Sequence, residues 1–266
     1  MTIESMHNEE RIFSPSVKIQ KNSTISGMDT YKALCKSAED DYEGFWANLA
    51  KELLIWDKPF TKILNSDNAP FYKWFEDGKL NASYNCLDRH LLTKSDKVAI
   101  ISEGDDGSVL KITYKTLFEK VCQFSNGLKD LGLKSGDTVV IYLPMTIEAV
   151  VAMQACARLG LIHSVIFGGF SAKSIQERVA DVKAKLIITS DVQFRGGKCI
   201  QLKTAIDEAI LMGGCDSVKN IIVWNRVNNR EKLNTKEVDW QALVKDKKLY
   251  CEPVSVDAEH PLFVLY

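Results

Sequence analysis

The amino-acid sequence predicts an α/β protein: a doubly wound, mostly parallel sheet with helices on both faces, preceded by a helical and irregular N-terminal segment. Two observations predict it. From Gly136 onward, short apolar runs alternate with stretches of helical length, the order of βα units joined by right-handed crossovers. The runs themselves, at 138–143, 162–167, 186–189 and 221–224, are apolar at successive positions, as strands covered on both faces must be.

Residues 1–27 read as an arm, in which Ser14-Pro15-Ser16 and Asn22-Ser23-Thr24 carry no period. Helices follow at 29–37 and 41–54; the second has an acidic start and sets Phe45, Leu49 and Leu53 at helical spacing. Trp56, Phe60, Phe71, Tyr72, Trp74 and Phe75 form an aromatic, irregular segment. It reads as packing rather than base stacking, because no basic stripe accompanies it. Strands at 98–101 and 109–113 flank the hairpin signal Asp106-Gly107. Leu117, Val121, Phe124, Leu128 and Leu131 share one face of a helix that Gly132 stops. Strand 138–143 closes on Pro144, and Thr146 can cap a helix that ends before Gly160. Strand 162–167 ends on Gly168-Gly169; Ser171, or Ser174 with Glu177, caps the next helix, to about Val182. After strand 186–189, a loop at 191–198 is expected to lead into a helix from Cys199 to about Met212. The charged stretch 225–248 holds one short helix near 240–243. The closing run Leu262-Phe263-Val264-Leu265-Tyr266 reads as a buried strand with neighbours on both sides, so the sequence is expected to be the first part of a longer protein. The expected division is an arm at 1–27, a helical segment at 28–95 and a first α/β subdomain at 96–266.

Composition narrows the function classes. At 266 residues with 45% hydrophobic and 26% charged side chains, the chain is an ordinary globular sequence. A net charge of −1 supplies no global field for nucleic acid or an anionic membrane, so neither is expected as a partner. No apolar stretch approaches the ~20 residues that span a bilayer. Residues 1–11 are acidic and polar, without the layout of a secretion signal or transit peptide. Seven cysteines, an odd and scattered set with no CxxC pair, are free thiols suited to a reducing compartment, and the expected location is the cytoplasm. Cys122 and Cys156 fall in helix patterns, where a thiol packs as a small hydrophobe.

Ligands of an open parallel sheet bind beyond the carboxyl ends of its strands. Three segments hold that position: 143–145, 167–171 and 194–198. In Arg195-Gly196-Gly197-Lys198, two cations flank two glycines that are expected to sit immediately before a helix. Bare backbone, a helix N-terminus and a guanidinium fork together suit a phosphate. From the tetrapeptide alone, a solvated loop with two surface charges is the simpler reading. A Walker A loop is excluded, because Val192 stands in place of the first glycine and Cys199 in place of the Ser/Thr. Phe167-Gly168-Gly169-Phe170-Ser171 lacks the G-x-G-x-x-G spacing and reads as a tight strand-to-helix turn, one that leaves a narrow passage over bare backbone. His7, His90, His163 and His260 are isolated, Asp88-Arg89-His90 reads as a helix-surface cluster, and no catalytic or metal-binding residue is assigned.

Together these segments resemble the acetyl-CoA synthetase (acetate–CoA ligase) family of the adenylate-forming, AMP-binding superfamily. The likeness rests on Tyr42-Glu43-Gly44-Phe45-Trp46-Ala47, Trp56-Asp57-Lys58-Pro59-Phe60, and the block Ser83-Tyr84-Asn85-Cys86-Leu87-Asp88-Arg89-His90. It extends through Leu143-Pro144-Met145, the block from His163 to Ser171, and the closing run from His260. The resemblance implies a larger adenylate-forming domain that joins acetate to coenzyme A through acetyl-adenylate, using ATP, magnesium and CoA. It implies that Arg195, Gly196, Gly197 and Lys198 contact the nucleotide end of CoA. Phe167, Gly168 and Gly169 would lie along the pantetheine path. It reverses the simpler reading of Arg195. Family members often carry Arg where Lys198 stands; charge is kept there and the bidentate fork is lost. A propionate–CoA ligase and a non-catalytic nucleotide- or CoA-binding α/β module are the alternatives. The family's phosphate loop, acetate pocket and catalytic lysine do not occur in 1–266. This chain alone is therefore expected to show no acetate-dependent ATP–pyrophosphate exchange above background, which an isotope-exchange assay on purified 1–266 checks.

Overall fold

A computed structural model describes residues 12–227 and 234–266. The expectation for residues 1–11, and the middle of the charged stretch 225–248, lie outside them. Two compact units divide the chain, Met1–Leu54 and Ile55–Tyr266.

The first unit contains α1 (Val17–Asn22), α2 (Met28–Asp40) and α3 (Tyr42–Leu53). Helix α1 falls inside the stretch read as an arm without period; its only sequence signal is Ser16, whose side chain caps it at Ile19 N, and none of its residues is buried. Helix α3 starts on Asp41, whose carboxylate accepts from Gly44 N at 3.0 Å.

The second unit opens with three two-residue strands, β1 (Leu64–Asn65), β2 (Lys73–Trp74) and β3 (Lys79–Leu80). The aromatic segment packs, as the sequence implies: Phe60 and Phe75 ring centroids lie 4.4 Å apart, and Trp56 meets Phe60 at 4.9 Å. Asp77 ties this segment together by accepting from Lys62 N, Thr61 Oγ1 and Thr61 N, which holds its carboxyl well below the usual carboxylate range. A π-helical turn (Tyr84–Asp88) runs into α4 (Arg89–Lys94). The hairpin β4 (Val98–Glu103) and β5 (Val109–Thr113) then leads to α5 (Tyr114–Asp130).

The remaining elements build the sheet: β6 (Thr138–Tyr142), α6 (Ile147–Arg158), β7 (Ile162–Val165), α7 (Ala172–Asp181), β8 (Leu186–Ser190), β9 (Val192–Arg195), β10 (Lys198–Gln201), α8 (Leu202–Leu211), β11 (Asn220–Trp224), β12 (Glu237–Asp239), α9 (Trp240–Val244) and β13 (Val256–Asp257). Its order is β12-β11-β8-β6-β7, with every pair parallel. The chain steps outward from β6 to β7, returns across β6 to β8, and continues to β11. Reversing direction switches the face that a right-handed crossover covers. Accordingly Val139, Ile141 and Ile188 pack with residues of α5, α6 and α9, whereas Val140, Tyr142 and Ile187 pack with α7 and α8. Every residue of β8 is buried, which is why its sequence shows no alternation.

Three local expectations are corrected. Thr146 sits at the N-cap of α6, but its side chain makes no capping bond and donates to Pro144 O at 3.4 Å. The run 262–266 is not a buried strand. It adds one parallel bridge, His163 with Phe263, outside β7, and Phe263, Leu265 and Tyr266 are exposed because only one side meets a neighbour. Asp88 is not on a helix surface. Arg158, fully buried at the end of α6, donates to Asp88 through both terminal nitrogens, at 2.8 and 2.9 Å, and through Nε to Cys251 O at 2.6 Å. Burial alone would lower the Arg158 pKa; the bonds to Asp88 hold it above its ordinary value. Asn81 joins the same knot, its amide donating to Ala157 O, Arg158 O and Val254 O.

Removing one partner strands a buried charge. Asp88→Ala should therefore lose about 3–5 kcal/mol of stability. The double replacement Asp88→Leu/Arg158→Met should lose less than Asp88→Ala, read from urea unfolding midpoints; equal losses would contradict a charge-stranding effect.

Candidate ligand-binding edge of the sheet

Because the five strands are parallel, their carboxyl ends share one edge. There β6 leads into Leu143-Pro144-Met145, β7 into the turn 166–171, and β8 into Asp191 and β9. Strand order reverses between β6 and β8, where an open sheet leaves a crevice. Leu143 is buried in the core and Met145 is 90% exposed.

The expected loop 191–198 and helix from Cys199 are corrected. β9 and β10 form an antiparallel hairpin with Arg195 opposite Lys198, and Gly196-Gly197 is its two-residue turn. The glycines have φ of +56° and +72°, as the twist-compatible type I′ turn demands at both central positions. The hairpin delays the helix to Leu202, so no helix N-terminus backs the glycines. Gly-Gly between two short runs was the available signal.

This hairpin sets the geometry of the cations. Directly opposed residues of an antiparallel pair point to one face, so Arg195 and Lys198 project together. Among the described residues, neither has a carboxylate within ion-pair distance. Gly197 N donates to Asp105 Oδ2 at 3.2 Å, from the turn between β4 and β5. Gln193 shares a face with Arg195, two residues on, and Phe194 takes the other face, where Arg226 stacks on its ring at 5.1 Å.

The second predicted segment lies against the same face. The Arg195 guanidinium sits 5.1 Å over the Phe167 ring, and a Cβ placed on Gly169 would lie 3.8 Å from Arg195 Nη1. Gln193, 5% exposed, donates its side-chain amide to Gly168 O. Tyr142 Oη donates to Phe170 O at 3.2 Å, Arg178 stacks on the Phe170 ring at 4.8 Å, and Ser171 caps α7 at Ser174 N. The structure therefore brings Arg195 together with Phe167, Gly168 and Gly169, with Gly196, Gly197 and Lys198 at the tip. Sequence reasoning missed Gln193, Arg226 and Asp105. Strand alternation around the Gly-Gly turn would have found Gln193; nothing in the sequence links Asp105 to Gly197.

Other groups are quiet. Burial pushes the Cys156 thiol up to about 12 and the Cys122 thiol up to about 11, so both pack as inert hydrophobes. Among the described residues, no helix is long and apolar enough to cross a membrane, and no group of His, Cys, Asp or Glu could hold a metal ion.

A family model described as AMP-binding enzyme matches residues 87–266. The chain belongs to that family. A second, described as acetyl-coenzyme A synthetase N-terminus, matches residues 31–86. The acetyl-coenzyme A synthetase of Cupriavidus pinatubonensis is 56% identical over 266 residues, covering 99% of this chain and 40% of that relative. The one from Thiobacillus denitrificans is 54% identical over 264 residues, with 99% and 40% covered. The chain thus spans about 40% of the length of these curated relatives. The likeness read from the blocks at 83–90 and 163–171 is borne out. Acetoacetyl-CoA synthetase from Streptomyces lividans matches in structure with a TM-score of 0.81 at 24% identity, over 94% of this chain and 38% of that one, which supports the α/β fold.

Among the described residues, Nδ1 of His163, on β7, has no hydrogen-bond partner; the ring is 7% exposed, and burial pushes its pKa down to about 4. Unfolded, it titrates near its ordinary 6.5, so the unfolded state takes up the proton first as pH falls. The stabilisation is complete above that value and is lost toward pH 4, amounting to ~2 kcal/mol by pH 5. Urea midpoints at pH 7 and pH 5 should differ by that amount in the parent protein and by much less in His163→Leu; parallel losses would clear His163.

Proposed function

We propose that the protein carrying this chain is an ATP-dependent acetate–CoA ligase of the cytoplasm, and that this chain supplies its contacts to CoA. In the proposed reaction acetate displaces pyrophosphate from ATP to form acetyl-adenylate. The CoA thiolate then attacks the acyl carbon, forming the thioester and releasing AMP. The residues described here serve the second half. Arg195 and Lys198 would hold phosphate oxygens of the nucleotide end of CoA, and Gly196 and Gly197 keep side chains out of their way. Phe167, Gly168 and Gly169 would border the pantetheine arm, where bare glycine backbone leaves room for it. Among the described residues, no cluster of His, Cys, Asp or Glu could hold the magnesium. Seven unpaired thiols support the cytoplasmic location.

The observation that carries the proposal is the pairing of two cations on one hairpin face, neither of them in an ion pair among the described residues. Like charges set directly opposite each other destabilise a hairpin, and a bound phosphate turns that penalty into attraction. A charge-assisted contact of this kind contributes about 1.5–3 kcal/mol, so Arg195→Ala should raise the KM for CoA ~10- to 100-fold. Acetate-dependent pyrophosphate exchange should stay within about twofold of the parent, because that half-reaction needs no CoA. Equal losses in both would overturn the assignment.

A further inference from the structure

We propose that Gln193 is a positioning residue that sets the distance between the phosphate-binding hairpin and the Gly168-Gly169 backbone, so that one CoA molecule can engage both at once. The inference rests on the function proposed above and goes beyond it. Neither segment holds the other by main-chain pairing: β9 pairs with β10, and the turn after β7 belongs to the sheet edge. Two side chains of β9 bridge them, Gln193 and Arg195, both on the face turned toward 167–169. Arg195 contributes a stack on the Phe167 ring and is exposed. Gln193 is buried, and its amide donates to Gly168 O. Its Oε1 also stands 2.6 Å from where a Cβ on Gly168 would be, so the Gln193 side chain fills the space that a side chain at 168 would take. A side chain at 168 and the amide at 193 would thus compete for one space.

A bidentate ligand is sensitive to the distance between its two subsites in a way that either half alone is not. CoA spans both subsites; adenosine 3′,5′-bisphosphate carries only the nucleotide end. Gln193→Leu keeps the bulk and loses the donor, and Gln193→Glu keeps the shape and sets a carboxylate against Gly168 O. With both ligands titrated calorimetrically into the intact protein, each variant should weaken CoA about 10-fold while bisphosphate affinity stays within about twofold. Arg195→Ala should weaken both ligands. If the Gln193 variants leave CoA affinity unchanged while Arg195→Ala lowers it, the positioning role falls and the CoA reading stands. If they weaken the bisphosphate as much as CoA, Gln193 merely holds the hairpin in shape and the proposal is overturned. If Arg195→Ala affects neither ligand, the nucleotide-site reading fails and this inference fails with it. Thermal unfolding identifies any variant that does not fold, and the other then decides.

Discussion

The second unit depends on a guanidinium that water never reaches. Arg158 ends α6, and a helix end leaves carbonyls without internal partners. Here they are met by Asn81 and by Val254 N, while the side chain is neutralised by Asp88 and accepted by Cys251 O. Three stretches far apart in sequence, 81–88, 157–158 and 251–254, therefore meet at one point. Helix α6 is the crossover from β6 to β7, so fixing its far end fixes where β7 begins and hence where its carboxyl-end turn emerges. Both charges leave water, so the pair need not be a net source of stability. Its effect is to make one arrangement of these segments far better than any in which the guanidinium lies unpaired.

Layering explains why so much of the sheet was legible from the sequence. Strands β6, β8 and β11 sit between two helical layers and need apolar residues on both faces, so they appear as unbroken runs such as Leu186-Ile187-Ile188. Helix α5 has one wet face and shows the helical period cleanly. The hairpin β9–β10 obeys neither rule. Only Val192 and Gln193 of β9 are buried, while Phe194, Arg195 and all four residues of β10 are exposed, so burial imposes little hydrophobic alternation on the pair. The glycines at its tip were visible, but a Gly-Gly pair suits both a phosphate loop and a two-residue turn. Only the strand register tells them apart. The pairing of Asp88 with Arg158 was illegible for another reason: no local rule joins residues 70 positions apart.

The hairpin alters the physical basis of the proposed anion site. A helix N-terminus would have offered a row of free N–H groups and a dipole. The hairpin offers two side-chain charges instead, and Gly197 N is already engaged by Asp105. Attraction at such a site is carried by exposed cations and is screened over about 8–10 Å at ordinary ionic strength. Any anion bound there competes with salt more directly than one seated on a helix end.

Holding two cations together requires compensation, and it is visible on each side of the hairpin. Arg195 rests on the Phe167 ring, a cation–π contact that contributes about 0.5–1 kcal/mol at an exposed site. That is comparable with the ~0.2–1 kcal/mol scale of cross-strand pair energies, here repulsive. On the reverse face Arg226 stacks on Phe194, and Asp191 accepts from Arg226 N and Val227 N, which anchors the base of the hairpin to the end of β11. The two terms offset one another, so the hairpin can keep both charges facing outward at little net expense. A phosphate bound as proposed would meet donors already aimed, so its binding energy would not be spent on ordering them. The aromatic at 167 thus has a role that its exposure alone would not suggest: it is the surface on which Arg195 waits.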